Sequence, residues 1–431
     1  MLGSSYALRA RWVMPIAAPP IDGGVVTIEA GRIVGVGREV AGGGTSTRLI
    51  DLGDVVLLPG FANAHTHLEF SDLATPLGQP GIGLCDWIPL VVAQRRRAGR
   101  DAEQAVRAGI AESARFGVTV LGEIAQADWS LAAIESLPLA VNVYLELIGL
   151  APDRVEELCQ RGREHFARNA PPGKRWRTGV SPHAPYSVNR NVVSTLAALP
   201  LVMHIAESRE EMELLASASG PMRDMLVKFG AWREGAFGRR RPLEYLQAMS
   251  GPSTSLRLSN HDQQATALIV HGNFLGREEL DLLENPRRPM WVVYCPRTHA
   301  YFGHSSYPLA EMLRRKIPVA IGTDSRASNP DLSVLAELRF VARKFSEVPA
   351  EQILTMGTLE GAKALMRGDE CGSLEIGKIA DLAAVELDPR ESGRLSPYEQ
   401  VLHSDGDVVA TIAAGQTVYD SRGLIGGGAL R

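Results

Sequence analysis

The 431-residue sequence lacks several features, and each absence excludes a class of protein. No uninterrupted apolar run reaches about 18 residues, the length that a membrane-spanning helix needs, so a membrane span is not expected. Near the N-terminus, three prolines break the mildly apolar residues 12–20, and no signal-peptide cleavage pattern follows them. A cytoplasmic protein is therefore predicted.

Neither cysteine pairs nor long runs of like charge are present. The four cysteines are Cys85, Cys159, Cys295 and Cys371, which lie far apart and form no CxxC pair. In a chain of this length they are expected to be free thiols and not disulfides. The formal net charge is −4 with both signs interspersed, so neither a nucleic acid nor a membrane surface is predicted as a partner.

The two ends of the chain share one pattern. Residues 25–37 predict two strands around a turn at Ala30-Gly31, and residues 381–387 and 408–419 predict strands near the other end. We expect the two ends to pair into one small composite β-sandwich. The predicted segments of this sandwich are residues 1–58 and 377–431.

Between these ends, apolar strand patterns alternate with helical patterns such as residues 101–116 and 153–166. The strand candidates are residues 55–64, 118–124, 139–148, 179–181, 201–205, 268–271, 291–294 and 319–321. Eight strands that alternate with helices favour an α/β fold, a parallel (β/α)8 or TIM barrel, over residues 59–376. Residues 220–260 form a long insertion after the fifth strand. Loops of this length usually have a function, although a helical excursion over the barrel wall fits as well.

Histidines end several of the predicted strands. Of ten histidines, five lie at strand ends, namely His65, His67, His183, His204 and His271, and Asp324 ends the last strand. Strand ends of a barrel converge on one rim, and side chains two apart on a strand share a face. Imidazoles with one carboxylate suit a divalent transition metal such as Zn²⁺ or Fe²⁺. Such an ion lowers the pKa of a bound water to about 7.

Motifs spread over most of the chain resemble those of the amidohydrolase superfamily. They are LPGFANAHTH (58–67), SPHAPYS (181–187), HIAE (204–207), GTDS (322–325) and GSLEIGKIADL (372–382). The pattern is most similar to the branch of cytosine, guanine and S-adenosylhomocysteine deaminases. The resemblance implies a barrel with a terminal β-sandwich that hydrolytically removes an exocyclic amino group from an adenine-type base.

That resemblance also implies a role for each matching residue. The implied metal ligands are His65, His67, His204 and Asp324. Glu207 is the implied proton donor to the ring nitrogen, and Asp324 accepts the proton of the attacking water. His271 lies beside that water, and His183 contacts the substrate.

The number of metal ions is predicted from a missing lysine. Relatives that bind two metals bridge them with a modified lysine on a middle strand. Between His67 and His204 the single lysine is Lys174, which lies in a polar loop before a strand. One divalent ion is therefore predicted, with zinc expected and iron left open.

A narrower resemblance is to deaminases of 6-amino-6-deoxyfutalosine from the alternative menaquinone pathway. It rests on the segments HLEFS (67–71), YCPRTHAYF (294–302) and TDSRASNPDL (323–332). That nucleoside ends in a benzoate, and the planar fork of an arginine is suited to hold a carboxylate. The candidates are Arg297 and Arg326, which follow the last two strands, with Arg209 as a third.

Other features of the substrate site stay open at this point. Phe70 and Trp87 can stack on the purine or pack the loop that carries them. Glu69 and Glu146 can accept from ribose hydroxyls or orient a metal-bound imidazole. The predicted partner is a small nucleoside, and a homodimer is compatible with the sequence.

Two rival functions remain at the level of sequence. The same barrel can act on S-adenosylhomocysteine, methylthioadenosine, guanine or a chlorotriazine. A non-catalytic scaffold barrel is disfavoured, because such proteins are expected to have lost ligands that this chain retains.

Overall fold

The computed structural model describes residues 5–41, 47–135, 137–168, 170–171, 173–251, 265–388 and 394–426. The end of the predicted insertion, residues 252–260, lies outside the described residues. All four cysteines are free, as predicted. In the described part of the chain, no helix is both long enough and apolar enough to cross a membrane.

The strands of the described residues form three sheets. In chain order they are β1 (Ser5–Arg9), β2 (Trp12–Val13), β3 (Ile21–Asp22), β4 (Val25–Glu29), β5 (Arg32–Gly37), β6 (Arg48–Asp51), β7 (Val55–Pro59), β8 (Phe61–Thr66), β9 (Val118–Ala125), β10 (Ala140–Leu147), β11 (Trp176–Pro182), β12 (Leu201–Ile205), β13 (Ala267–His271), β14 (Met290–Tyr294), β15 (Val319–Ile321), β16 (Leu382–Glu386), β17 (Val408–Ala413) and β18 (Gln416–Asp420).

Helices connect these strands and cover the barrel. In chain order they are α1 (Leu84–Arg95), α2 (Ala102–Arg115), α3 (Val155–Phe166), α4 (Arg190–Leu196), α5 (Arg209–Ser217), α6 (Pro221–Lys228), α7 (Pro242–Met249), α8 (Arg277–Glu284), α9 (Pro296–Tyr301), α10 (Leu309–Arg314), α11 (Val334–Lys344), α12 (Ala350–Met356), α13 (Leu359–Ala364) and α14 (Pro397–His403). Short 3-10 turns add Leu68–Phe70, Leu131–Ala133 and Pro152–Arg154.

Both ends of the chain build the two smaller sheets. One has the strand order β5-β4-β1-β6, and the other has the order β18-β17-β16-β7-β2-β3, which joins C-terminal strands to N-terminal ones. Buried apolar side chains from both ends, such as Leu8, Leu57 and Leu382, share one core cluster. The predicted pairing of the two ends in a β-sandwich is confirmed.

The third sheet is the barrel. Its eight strands follow each other in chain order from β8 to β15, and each neighbouring pair is parallel. A bridge between Thr66 and Asp324 joins the first strand to the segment after the last one, where the Asp324 N–H donates to the His65 carbonyl at 3.1 Å. The predicted α/β fold with a (β/α)8 barrel is confirmed.

The first predicted barrel strand differs from the structure. The apolar run over residues 55–64 divides into β7, which pairs with β16 in the sandwich, and β8, which opens the barrel. Gly60 permits the crossing, because a Cβ atom there would lie 2.3 Å from the hydroxyl oxygen of Thr119. An unbroken apolar pattern carries no signal of which sheet a strand will join.

The described part of the insertion is helical and packs over the rim of the barrel. Its helix α6 contacts α1, the helix that follows the first barrel strand. Trp232 stacks on Phe237 with ring centroids 5.5 Å apart, and the Arg223 guanidinium lies 5.1 Å from the Trp232 ring. The insertion therefore stands beside the rim where the predicted site residues meet.

Candidate active site

Side chains from the ends of barrel strands meet in one buried cluster. His65 lies in β8, His204 in β12 and His271 at the end of β13, while His67 and Asp324 follow β8 and β15. The Nε2 atoms of His65 and His67 lie 3.6 and 3.7 Å from Asp324 Oδ1. The ring centroids of His65 and His204 are 4.8 Å apart. The structure thus brings the predicted metal ligands together.

Unusual backbone conformations position three residues at this rim. Ala206, His271 and Asp324 have φ values of 53°, 68° and 57°, in the left-handed region that non-glycine residues rarely adopt. Each such residue costs about 1–3 kcal/mol and persists only where its surroundings hold it in place. The strain lies next to the cluster, which is typical of a functional site.

The cluster has the donor atoms of a metal site. Two groups of three side chains, His65 with His204 and His271, and His65 with His67 and Asp324, each place their ligand atoms within 4.8 Å of one another. Both ring nitrogens of His65 are buried without a hydrogen-bond partner. Buried polar atoms are normally satisfied, and a cation at this point would satisfy His65. The residues therefore fit a divalent metal ion.

The environment of the imidazoles favours the neutral form that binds metals. Nδ1 of His204 lies 2.9 Å from the carbonyl oxygen of His183, so Nδ1 carries the hydrogen and Nε2 keeps its lone pair. Burial, followed by the charges of neighbouring histidines, lowers the pKa of His67 and of His204 well below the ordinary value. Both rings can therefore act as ligands at neutral pH.

Asp324 is held in its ionised form. Burial alone would raise its pKa, but the nearby His65, the charge of His271 and the Ser328 hydroxyl together outweigh burial, and the pKa of Asp324 lies below its ordinary value. The Ser328 hydroxyl donates to Asp324 Oδ2 at 3.0 Å. A carboxylate at this position can serve as a metal ligand and as a proton acceptor.

The pKa of Glu207 is shifted in the opposite direction. The residue is 6% exposed, and burial, followed by the charges of Asp324 and Glu211, raises the pKa of Glu207 well above its ordinary value. Its Oε1 lies 3.4 Å from His271 Nε2, and the Tyr186 hydroxyl donates to Oε2 at 3.5 Å. A buried carboxyl with a raised pKa is suited to act as a general acid.

The backbone around Glu207 is fixed on several sides. The Glu211 carboxylate accepts the N–H groups of Ala206 and Glu207 at 3.0 and 2.9 Å. The Asn273 side-chain amide donates to the Glu207 carbonyl at 2.8 Å. Ser208 caps α5 by accepting the Glu211 N–H at 3.2 Å. The left-handed turn at Ala206 and the direction of Glu207 are therefore determined by the start of α5.

These groups form the inner end of a cavity of about 350 Å³, a volume within the usual range of small-molecule sites. Buried His67, His204 and Glu207 lie at the inner end, whereas Ile148 and Phe229, 44% and 46% exposed, lie at the mouth. Apolar side chains line the wall between the ends, among them Trp87, Ile88, Val91, Leu150, Met225 and Leu226.

Three of the predicted substrate contacts line this cavity, namely His183, Phe70 and Trp87. The Trp87 indole N–H donates to the Ala327 carbonyl at 3.1 Å, so this ring also packs its own loop. Stacking on the purine and packing of the loop are therefore compatible roles for Trp87, because its N–H edge anchors the loop while the ring borders the cavity.

Glu69 and Glu146 lie behind the cavity wall instead of lining it. Arg95, which does line the cavity, lies 2.8 Å from Glu69 Oε1 and 3.4 Å from Glu146 Oε2. Glu146 Oε1 in turn lies 3.7 Å from His183 Nε2. These contacts favour the reading in which Glu146 orients a histidine, and a ribose contact of either carboxylate stays a prediction.

The predicted carboxylate clamp is wrong for Arg297 and Arg326. Arg297 lies 2.6 Å from both Asp331 and Glu337, and Arg326 lies 2.7 Å from Glu112. Neither arginine lines the cavity. The reason is that carboxylates on other elements already occupy both guanidinium groups.

The structure reveals cavity residues that sequence reasoning missed. They include Arg95, Tyr186 and Arg233, whereas the third predicted arginine, Arg209, is exposed with its guanidinium 5.4 Å from the Phe274 ring. The place of Tyr186 inside the motif SPHAPYS was a usable signal. No motif marks Arg95 or Arg233.

Lys174 lies where it cannot bridge two metal ions in the cluster. It is exposed in the loop before β11, and its Nζ donates to the Glu135 carbonyl at 2.5 Å. His183 follows the opposite end of the same strand. The geometry therefore agrees with the absence of a bridging lysine inferred from sequence.

Comparison with known proteins finds proteins of similar sequence and solved structures of similar fold. A 5-methylthioadenosine/S-adenosylhomocysteine deaminase of Moorella thermoacetica is 28% identical, covering 96% of this chain and 93% of that protein. The crystal structure of Helicobacter pylori aminofutalosine deaminase in complex with methylthio-coformycin matches with a TM-score of 0.79 at 20% identity, covering 96% of this chain and all of that one. An adenosine deaminase structure from Xanthomonas campestris with bound zinc matches with a TM-score of 0.72 at 24% identity, covering 97% and 93%.

At these identities the two solved structures show a shared fold. The family is shown by a separate match, because the amidohydrolase family pattern extends over residues 56–418, which is most of the chain. That range includes the histidine cluster, Glu207 and Asp324. The chain therefore belongs to the amidohydrolase family.

Proposed function

We propose that this chain is a metal-dependent deaminase that replaces the exocyclic amino group of an adenine-type nucleoside with an oxygen from water and releases ammonia. The observation that carries the proposal is that His65, His67, His204 and Asp324 converge with Glu207 at the buried end of one cavity. Burial raises the pKa of Glu207, as a proton donor requires. The names of the Moorella, Helicobacter and Xanthomonas relatives support the same reaction class.

The residues divide the reaction between them. The implied ion, held by His65, His67, His204 and Asp324, supplies activation of a water molecule when bound. Glu207 donates a proton to the ring nitrogen, so that negative charge does not build up on the ring during attack. Asp324 accepts the proton of the attacking water and returns it to the departing amine. His271, 3.4 Å from Glu207, hydrogen-bonds the attacking oxygen.

For the substrate we propose 6-amino-6-deoxyfutalosine, as the narrower motif resemblance implies. The cavity supports this choice because its wall is largely apolar and includes Phe70 and Trp87, which suits a purine and an aromatic tail. The second candidate is methylthioadenosine or S-adenosylhomocysteine. It is favoured by the name of the 28% identical Moorella protein.

A side-by-side comparison of kcat/KM separates these candidates. Ammonia release is followed with 6-amino-6-deoxyfutalosine, methylthioadenosine, S-adenosylhomocysteine and adenosine under identical conditions. We expect the first compound to give the highest kcat/KM. A preference for another adenine nucleoside would refute the assignment of substrate, and no ammonia from any of them would refute the deaminase itself.

A further inference from the structure

The charged side chains that line the cavity are two carboxyl groups and three arginines. Among the described residues, the acidic side chains of the lining are Glu207 and Asp324, and both belong to the buried cluster. The basic side chains are Arg95, Arg154 and Arg233. A ligand that extends from the cluster to the mouth therefore leaves the two carboxyl groups behind and passes arginines.

Two of these arginines already have carboxylate partners. Arg95 lies 2.8 Å from Glu69 and 3.4 Å from Glu146, which surround it behind the wall. Arg154 lies 3.0 Å from Glu157, three residues further along the chain. Their charges are largely compensated before a ligand arrives.

Arg233 differs from both. Among the described residues it has no carboxylate within ion-pair distance. Its Nη1 donates to the backbone carbonyls of Gly230 and Trp232 at 3.1 and 2.7 Å, which fixes the direction of the side chain without neutralising it. The residue is exposed and borders the cavity. It is therefore a cation held in place, and no carboxylate of the described residues compensates its charge.

The wall that leads to Arg233 is apolar and comes from the same insertion. Met225 and Leu226 of α6 and the following Phe229 line the cavity together with Arg233. Val91 of α1, the helix that α6 contacts, contributes a second apolar surface. A ligand group that fits here is apolar along its length and anionic at its end.

We propose that Arg233 is the anchor of an anion subsite at the mouth of the cavity, which selects adenine-type nucleosides whose 5′ group is apolar and ends in a carboxylate. The inference rests on the proposed function and assigns its specificity to the insertion instead of to the barrel rim. An arginine binds a carboxylate through two parallel charge-assisted hydrogen bonds. An amino-acid tail fits less well, because its ammonium group brings a second positive charge beside the Arg233 guanidinium.

Two matched compounds test the subsite, 5′-S-(4-carboxyphenyl)-5′-thioadenosine and 5′-S-phenyl-5′-thioadenosine, which differ by one carboxylate. The full-length, metal-loaded enzyme should favour the carboxylate by about 10- to 100-fold in kcat/KM, mainly through KM. Arg233→Met should remove the preference by lowering kcat/KM for the carboxylate compound much more than kcat/KM for the phenyl compound. Arg209→Met, a rim arginine outside the cavity, is the matched control and should retain the preference.

Several outcomes would overturn the inference. The inference is wrong if Arg233→Met still prefers the carboxylate compound. It is also wrong if only Arg154→Met loses that preference. Equal kcat/KM of the wild type for both compounds removes the subsite but leaves the deaminase intact. If the wild type releases ammonia from neither, ammonia release from the four nucleosides named above decides the proposed function, and Kd values for the same pair decide the subsite. Tighter binding of the carboxylate that Arg233→Met abolishes supports it, whereas equal Kd values contradict it.

Discussion

Glu207 and Asp324 are both buried, yet their neighbours move their pKa values in opposite directions. Asp324 faces imidazoles and a hydroxyl donor, whereas Glu207 faces the negative charges of Asp324 and Glu211. The same burial therefore produces a proton acceptor at one residue and a proton donor at the other. This difference is the chemical basis of the proposed reaction.

Glu207→Gln tests the donor at the scale of the residue. Glutamine keeps the shape of the side chain and removes its acidic proton. We expect kcat to fall by about 10²–10⁴-fold while metal content stays that of the wild type, as measured by steady-state kinetics and metal analysis. Glu210→Gln, in the first turn of α5, is the control and should keep its activity. Near-normal turnover of Glu207→Gln would show that another group protonates the ring.

Sequence reasoning predicted the cluster better than the substrate contacts. The histidines and Asp324 occupy strand ends, and a barrel brings strand ends together whatever the details of packing. No such rule predicts which carboxylate will pair with a given arginine. Glu112, the partner of Arg326, lies 214 positions away in the chain, so only the folded structure shows that this guanidinium is already occupied.

At the scale of the element, the start of α5 holds the catalytic turn. Glu211→Gln tests this support, because an amide offers one acceptor oxygen where the carboxylate accepts two backbone N–H groups. The free energy of unfolding should fall by about 1–3 kcal/mol, and kcat should fall with it while metal is retained. Denaturant unfolding and kinetics measure both, with Glu210→Gln as the control for helix charge. Unchanged stability and turnover would mean that the turn at Ala206 does not need Glu211.

The helix α9 carries a buried histidine that makes the fold sensitive to acid. Burial, followed by the charges of Lys344 and His304, lowers the pKa of His299 to about 3. The unfolded chain binds this proton more readily, so the stability present above pH 6.5 is lost as pH falls towards 3, by up to about 1.4 kcal/mol per pH unit. The Tm of the wild type should fall more steeply between these values than that of His299→Gln. The exposed His403→Gln should follow the wild type, and parallel curves for all three would contradict the assignment.

The elements themselves were largely predictable, but their partners were not. Periodicity and turn residues located most barrel strands and the hairpin of β4 and β5. The same signals could not divide β7 from β8, because both are apolar and Gly60 alone separates them. Nor could they show that α6 packs beside α1 and lines the cavity, since this contact depends on the tertiary fold.

At the scale of the whole molecule, the ligand set and the remote Lys174 predict one divalent ion per chain. Purified protein should contain close to one ion, and its removal by a chelator should abolish activity and lower Tm, because the ion binds the folded cluster and not the unfolded chain. Elemental analysis and thermal unfolding measure the two effects. Two tightly bound ions per chain would contradict the predicted single-metal site.

The central claim is that water replaces the exocyclic amino group of an adenine-type base at the Glu207–Asp324 cluster. The most direct measurement is mass spectrometry of the product formed from 6-amino-6-deoxyfutalosine, or from adenosine, in oxygen-18-labelled water. The account predicts a nucleoside whose base carries one labelled oxygen in place of nitrogen, with one ammonia released per product and release about 10²–10⁴-fold slower with Glu207→Gln. An unchanged base, or a base cleaved from its sugar, would contradict it.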